Sequence, residues 1–369
     1  MQRDDSKSHS MKRRKTRQIS VGGVKIGGSA PISVQSMTKT DTRNVEGTIS
    51  QIRQLEAAGC SLVRLAVVDQ AACDALVKIK ETAQIPLIAD IHFDYRLALK
   101  ALEAGVDGLR INPGNIGGRE KSRLVVREAM KRSVPIRIGV NAGSLDKDLL
   151  KKHGHPTAEA MVESCLRHVH MLESWGFCDI KVSVKASNVM RTIEAYRILS
   201  ERIDCPLHIG VTEAGPPPAG TIRSAVGIGT LLAEGIGDTI RVSLTAPVEE
   251  EVKVGREILK ALFLKESGPV IISCPTCGRC EIDLMRLVKQ VERRLVNVKQ
   301  PTVVAIMGCV VNGPGEAREA DVGIAAGKGT ALIFRKGEII KKVAPSKAVS
   351  ALLKEMKQVV KRRGKPRRR

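Results

Sequence analysis

Aromatic residues are nearly missing from this chain: one Trp, two Tyr and four Phe make up 2% of 369 residues. A surface that stacks nucleobases on aromatic faces is therefore poorly supplied, and the core must be aliphatic and rich in alanine. No stretch approaches the roughly 20 apolar residues of a membrane span, and the N-terminus lacks the apolar segment of a secretory signal. The nine cysteines are odd in number and scattered, not spaced as a compact disulfide framework. Reduced thiols and a cytoplasmic setting follow. Acidic residues are scarce too, 39 Asp and Glu against 61 Lys and Arg, for a net charge of +22. That excess is not spread evenly. Residues 1–18 carry seven Lys and Arg against two Asp, and residues 341–369 carry twelve against one Glu, which leaves only +6 between them. The basic runs at 12–15 and 361–369 read as disordered, solvated tails with salt-sensitive attraction to any polyanion, not as a specific nucleic-acid site.

What the chain does contain is 43% hydrophobic residues, enough for a large domain of about 250 residues and a smaller one of about 100. The first part repeats one grammar: an apolar run ends in a polar residue, a helix-period segment follows, and the helix often closes at glycine. Gly59, Gly105, Gly176 and Gly235 stand at such closures, where a left-handed cap turns a helix back towards a sheet. Strands are expected near 32–36, 62–67, 86–91, 108–112, 135–141, 180–185, 207–213 and 239–243. Eight strand–helix units over roughly residues 30–263 close most naturally as a (β/α)8 TIM barrel. A doubly wound open sheet is the alternative, but no dinucleotide-type glycine fingerprint follows the first strand.

In such a barrel, chemistry collects at the C-terminal strand ends. Those ends carry Gln35, Ser36, Arg64, Asp90, His92, Arg110, Asn112, Arg137, Asn141, Ser183, Lys185, His208, Glu213, Arg241 and Ser243. Arginines at alternating positions inside apolar strands must meet internal carboxylates or an anionic ligand. Carboxylates are few at these ends, chiefly Asp90 and Glu213, which favours a phosphate ester or diphosphate over a structural ion-pair layer. For His92, a hydrogen-bonded strand-end role and ligand contact stay equally open.

After Phe263 the grammar changes. Ser267-Gly268-Pro269 reads as a linker. A cysteine stretch follows, then a helix-period segment at 282–296, a strand before Cys309, strands at 321–325 and 331–334, and a helix at 346–361. The result is a second, α+β domain. The expected division is a basic tail 1–18, a barrel domain 19–265, a cluster domain 266–360 and a basic tail 361–369. Cys274 and Cys277, within Cys274-Pro275-Thr276-Cys277-Gly278-Arg279-Cys280, have metal-site spacing, and Cys309 follows an apolar strand. A zinc ribbon would want a second pair at the same spacing, so an iron–sulfur cluster is favoured over structural zinc or incidental thiols.

Several long stretches resemble the 4-hydroxy-3-methylbut-2-enyl diphosphate synthases, reductive enzymes of the non-mevalonate isoprenoid route. They are Ala89-Asp90-Ile91-His92-Phe93-Asp94, Arg110-Ile111-Asn112-Pro113-Gly114-Asn115-Ile116-Gly117, the run from Arg137 to Leu145, Lys181-Val182-Ser183-Val184-Lys185, Thr212-Glu213-Ala214-Gly215, and both cysteine motifs. The resemblance implies the compact bacterial form, a TIM barrel followed by a [4Fe-4S] domain. It implies a head-to-tail homodimer in which each cluster caps the partner's barrel, with flavodoxin or ferredoxin as electron donor. The implied substrate is 2-C-methyl-D-erythritol 2,4-cyclodiphosphate, held by the arginines and asparagines of the rim. The implied cluster ligands are Cys274, Cys277, Cys309 and Glu316, and Glu213 is the implied acid/base or hydroxyl-orienting carboxylate.

Three features depart from the family pattern: Cys280, Pro216-Pro217-Pro218 after the Glu213 motif, and the basic tails. Spacing alone would make Cys280 a ligand. A carboxylate from Glu316 is the expectation, because a cluster bound only by thiolates has no exchangeable position. A zinc-stapled, RNA-associated protein and a pterin-binding type of barrel are the competing classes, and neither has use for a redox cluster.

Overall fold

The computed structural model describes residues 12–264, 268–280, 282–296, 298, 300–309, 318–327 and 329–363. The chain divides into two compact units, Met1–Lys265 and Glu266–Arg369.

The first unit opens with a hairpin, β1 (Gln18–Val21) and β2 (Val24–Gly27), turned at Gly22 and Gly23, both at positive φ. Eight parallel strands follow: β3 (Ser33–Met37), β4 (Leu62–Ala66), β5 (Leu87–Asp90), β6 (Gly108–Ile111), β7 (Ile136–Asn141), β8 (Ile180–Lys185), β9 (His208–Ile209) and β10 (Thr239–Ile240). They pair in the order β8-β7-β6-β5-β4-β3-β10-β9, and a parallel bridge from Val182 to Leu207 joins the two ends. This is the expected TIM barrel. Outside it lie α1 (Val45–Ala57), α2 (Gln70–Thr82), α3 (Tyr95–Glu103), α4 (Arg119–Lys131), α5 (Lys147–His153), α6 (Ala158–Glu173), α7 (Val189–Arg202), α8 (Ala219–Ala233) and α9 (Val248–Ala261). Capping side chains start many of them: Asn44, Asp69, Asp94, Thr157 and Asn188 each accept from a backbone N–H in the first turn. The four closing glycines, Gly59, Gly105, Gly176 and Gly235, all have positive φ.

Side chains two residues apart share a strand face, and this separates an apolar floor from a polar rim. Leu62 and Ile88 sit in one cluster with Ile19, Val21 and Ile26 of the hairpin, which stops the N-terminal mouth of the barrel. Two residues on, the same faces carry Arg64 and Asp90. Gly108 and Arg110 repeat the step on β6. The intervening Val63, Ala89 and Leu109 pack outward in the main aliphatic core.

The expectation of a solvated arm over residues 1–18 is corrected for residues 12–18. Arg13 pairs with Asp238 at 2.9 Å and donates to the Ala30 carbonyl. Arg14 donates to the carbonyls of Ile203 and Cys205, and Arg17 pairs with Asp204 and Glu173. The loop ends before β9 and β10 leave carbonyls and carboxylates there that need donors, and these arginines supply them. Residues 1–11 and 364–369 lie outside the described residues.

The second unit is a five-stranded sheet in the order β11 (Pro269–Ser273), β12 (Thr302–Met307), β13 (Val322–Gly327), β14 (Thr330–Arg335), β15 (Glu338–Val343). β11 to β13 run parallel and β13 to β15 antiparallel. Helices α10 (Leu284–Leu295) and α11 (Ala348–Arg363) pack Leu284, Val291, Leu295, Leu352 and Met356 on Val304, Ile306, Val322 and Ile324. The segment read as a linker ending at Pro269 turns into strand β11, and the basic 361–363 continue α11. No helix among the described residues is long and apolar enough to cross a membrane.

Candidate active site

At the C-terminal mouth of the barrel, Arg64, Asp90, His92, Arg110, Arg137, Asn141, Ser183, Lys185, Thr212, Arg241 and Ser243 line one bowl. The bowl spans about 430 Å³, part of it open to solvent. Two glycines make room for its cations. A Cβ on Gly139 would stand 2.6 Å from Arg110 Nε, and one on Gly210 would stand 2.9 Å from Lys185 Nζ.

The charges are unequally matched. Asp90 takes Arg110 Nη1 at 3.0 Å and Arg64 Nε at 3.3 Å, and His92 Nε2 lies 3.5 Å from it. Glu251, buried on α9, lies 3.7 Å from Arg241 Nη2 and also accepts from Ser36 Oγ at 2.9 Å and the Leu244 N–H at 3.1 Å. Among the described residues no carboxylate pairs with Arg137 or Lys185. Arg137 instead donates to His208 Nε2 at 3.1 Å.

The titration behaviour follows. Burial opposes the Asp90 carboxylate, but Arg64, the His92 hydrogen bond, Arg110 and Arg137 outweigh it and hold Asp90 well below the usual carboxylate range. Burial pushes Arg64 down to about 10, with Asp90 resisting and Arg241 and Arg110 adding to the fall. Arg137 and Lys185 are driven well below their ordinary values, first by burial and then by neighbouring cations. A multiply charged anion would reverse that second cause.

Two expected contacts differ. Asn112 is buried but turns its Oδ1 to the Gly114 N–H at 3.2 Å instead of lining the bowl. Glu213 is exposed beside Thr212 and does not line the bowl; its φ of +52° is a left-handed conformation costly for a side chain with a Cβ. Sequence reasoning missed Glu251 and Thr212. The Glu251 signal was present: of the three glutamates in Val248-Glu249-Glu250-Glu251-Val252, only Glu251 falls on the buried face with Val248, Val252, Gly255 and Ile258.

In the second unit, β11 and β12 are neighbouring parallel strands, and Cys274 N–H donates to Ile306 O at 3.2 Å. Cys274 follows the end of β11 and Cys309 lies two residues past β12, so both leave the same edge of the sheet. Cys277 is exposed on the intervening turn, closed by Cys280 N–H to Cys277 O at 2.9 Å, with Thr276 at φ +69°. All nine cysteines are outside any disulfide. This placement fits thiolate ligation of a cluster, although no three His, Cys, Asp or Glu side chains among the described residues are grouped closely enough to hold a metal ion. The Cys280 thiol has a partner of its own: it donates to Ile282 O at 3.3 Å and packs on Gly308, where a Cβ would stand 2.5 Å from the sulfur. Glu316 lies outside the described residues.

Fold and site thus define a TIM barrel with a cation-lined bowl at its C-terminal mouth, followed by a thiol-bearing α+β unit. Residues 16–256 match the GcpE TIM-barrel domain and residues 270–358 the GcpE protein C-terminal domain. The chain belongs to the GcpE family of 4-hydroxy-3-methylbut-2-en-1-yl diphosphate synthases. It is 60% identical over 348 residues to the 4-hydroxy-3-methylbut-2-en-1-yl diphosphate synthase (flavodoxin) of Thermodesulfovibrio yellowstonii, covering 94% of this chain and 100% of that one. To the enzyme of that name from Geobacter sulfurreducens it is 61% identical over 346 residues, covering 94% and 98%. Among solved structures, dihydropteroate synthase of Yersinia pestis is similar at 13% identity and a TM-score of 0.47, over 67% of this chain and 98% of that one.

Proposed function

We propose that this protein reductively opens and dehydroxylates 2-C-methyl-D-erythritol 2,4-cyclodiphosphate to 4-hydroxy-3-methylbut-2-enyl diphosphate. The observation that carries the substrate class is the bowl itself, where Arg137 and Lys185 are buried without a carboxylate partner among the described residues. Isolated buried cations are costly, and a cyclic diphosphate would compensate them while displacing no existing pair. Arg64, Arg110 and Arg241, already anchored by Asp90 and Glu251, are held in fixed orientation to receive the remaining phosphate oxygens. His92, Asn141, Ser183 and Ser243 supply polar contacts, and Asn112 supports the turn after β6.

Cys274, Cys277, Cys309 and Glu316 would hold a [4Fe-4S] cluster. When bound, the cluster supplies electrons and, through a labile carboxylate ligand, one iron open to a substrate oxygen. Glu213, exposed beside the bowl and held in a strained backbone conformation, would orient the substrate hydroxyl or move its proton. Flavodoxin, which the relatives' name carries, or ferredoxin would deliver the two electrons. The working form would be a cytoplasmic homodimer in which one subunit's cluster domain serves the partner's barrel.

Anaerobic purification followed by turnover with reduced flavodoxin tests this reading. A brown protein containing iron and sulfide that converts the cyclodiphosphate supports it. A colourless protein containing zinc, inactive with reductant, would sink it.

A further inference from the structure

Of the bowl's four arginines, three have a carboxylate among the described residues and one does not. Arg64 and Arg110 lean on Asp90, and Arg241 on Glu251. Among the described residues Arg137 has only His208, whose Nε2 accepts from Arg137 Nη1 at 3.1 Å. His208 is fully buried on β9, and the bowl does not include it. Its backbone is fixed from behind, where Tyr196 Oη donates to the His208 carbonyl at 2.5 Å and receives the Val184 N–H of β8 at 3.2 Å, and the ring is confined by burial. Tyr196 is itself fully buried. Hydrogen bonds thus tie β8 through Tyr196 of α7 to the backbone of His208, and the His208 ring in turn meets the Arg137 guanidinium.

We infer that His208 is the positioning residue for Arg137, an uncharged acceptor that aims the guanidinium at the ligand without neutralising it. A carboxylate at this position would aim Arg137 equally well but would compete with an incoming phosphate for its charge. An apolar residue would leave the guanidinium unaimed. Only a neutral acceptor orients the cation and leaves its charge for the ligand. Burial, reinforced by Lys185, Arg137 and Lys181, keeps the imidazole well below its ordinary pKa and so neutral, and because a guanidinium can only donate, Nε2 is the acceptor. The His208 contact also explains why β9 is worth holding so firmly although it is only two residues long.

The inference rests on the diphosphate reading of the bowl, and its test separates the two. The probes are inorganic diphosphate, by calorimetry on the holoenzyme, and the cyclodiphosphate, by turnover. His208→Leu should raise KM and weaken diphosphate binding by about ten- to a hundredfold, with kcat within about threefold of the parent. His208→Gln, whose amide oxygen reaches the place of Nε2, should stay within about threefold of the parent, whereas the shorter His208→Asn should behave like His208→Leu. In an Arg137→Ala background, His208→Leu should add almost nothing. Unchanged affinity in His208→Leu, equal behaviour of the Gln and Asn variants, or an undiminished loss in the Arg137→Ala background would overturn the inference. If His208→Leu does not fold, the Gln and Asn pair decides. A parent enzyme that neither binds diphosphate nor turns over the cyclodiphosphate would instead bring down the diphosphate reading itself.

Discussion

Arg137→Ala separates a cation placed for ligand from one placed for structure. In the free protein this guanidinium is buried, lacks a carboxylate partner, and lies among Arg64, Arg110 and Arg241, all of which lower its proton affinity. Removing it takes from the fold the His208 hydrogen bond and its attraction to Asp90, which Arg64 and Arg110 still pair, and relieves repulsion on Arg64, Arg110 and Arg241. The ligand-free variant should therefore melt at or above the parent temperature. In the complex, the same side chain would face phosphate in a water-poor site, where truncating one partner of a buried charge pair costs about 2–5 kcal/mol. That corresponds to a loss of affinity between about thirtyfold and several thousandfold. Calorimetry with the cyclodiphosphate reads the affinity, and thermal unfolding with and without it reads both signs at once. Iron content should not change. A variant that binds as tightly as the parent, or melts lower without ligand while binding normally, would return Arg137 to a structural role.

Further outcomes follow from the same geometry. Because burial and neighbouring cations depress Lys185, anion binding should raise its proton affinity; binding heats in buffers of different ionisation enthalpy should show proton uptake at neutral to alkaline pH, and none would argue against a bowl short of anions. Asp90 is held below its unfolded value of about 3.9, so its contribution to stability is present above that pH and is lost as pH falls through its lower folded value. Asp90→Asn should flatten the acid limb of a stability–pH profile, and an unaltered limb would contradict the assignment. Asp238→Ala removes the acceptor of Arg13, Thr16 and the Leu207 N–H and should cost about 3 kcal/mol in denaturant unfolding; a change within error would mean the basic segment only rests on the barrel. Cys280→Ser should keep iron and most turnover, since its thiol serves Ile282 O and Gly308 packing, while Glu316→Ala should lose nearly all activity. The reverse result would replace the fourth ligand. Mixing Arg137→Ala and Cys309→Ser subunits should restore activity if the site forms between chains, and mixtures no better than either parent after proven subunit exchange would place it within one.

Much of the fold was legible because barrel strands alternate with helices that end at glycine, and both signals are local. The failures have local causes as well. The hairpin β1–β2 carried its own sign, Gly22-Gly23 between alternating Ile19, Val21, Val24 and Ile26, but stood beside a basic run that reads as tail. Arg13, Arg14 and Arg17 are ordered by carbonyls and carboxylates some 160 to 230 positions away in the chain, and no local pattern contains that. Strands β9 and β10 are shorter than their apolar runs suggested because few backbone pairs close the barrel there. In the site, residue type and strand-end position sufficed to bring together Arg64, His92, Arg110, Arg137, Asn141, Ser183, Lys185, Arg241 and Ser243. They could not say which arginine would be left without a carboxylate. That depended on Glu251 arriving from α9 and on His208 standing where an acid could have stood.

The central claim is that the anion bowl and the cysteine-bearing domain serve one reductive reaction. A single-turnover experiment tests it most directly: iron-replete protein, chemically reduced and freed of excess reductant, is mixed anaerobically with the cyclodiphosphate, and product is quantified by mass spectrometry against cluster content. Formation of 4-hydroxy-3-methylbut-2-enyl diphosphate in proportion to reduced cluster, and none from protein stripped of iron, is the predicted result. Equal product from stripped protein, or none from reduced iron-replete protein that binds the cyclodiphosphate, would contradict it.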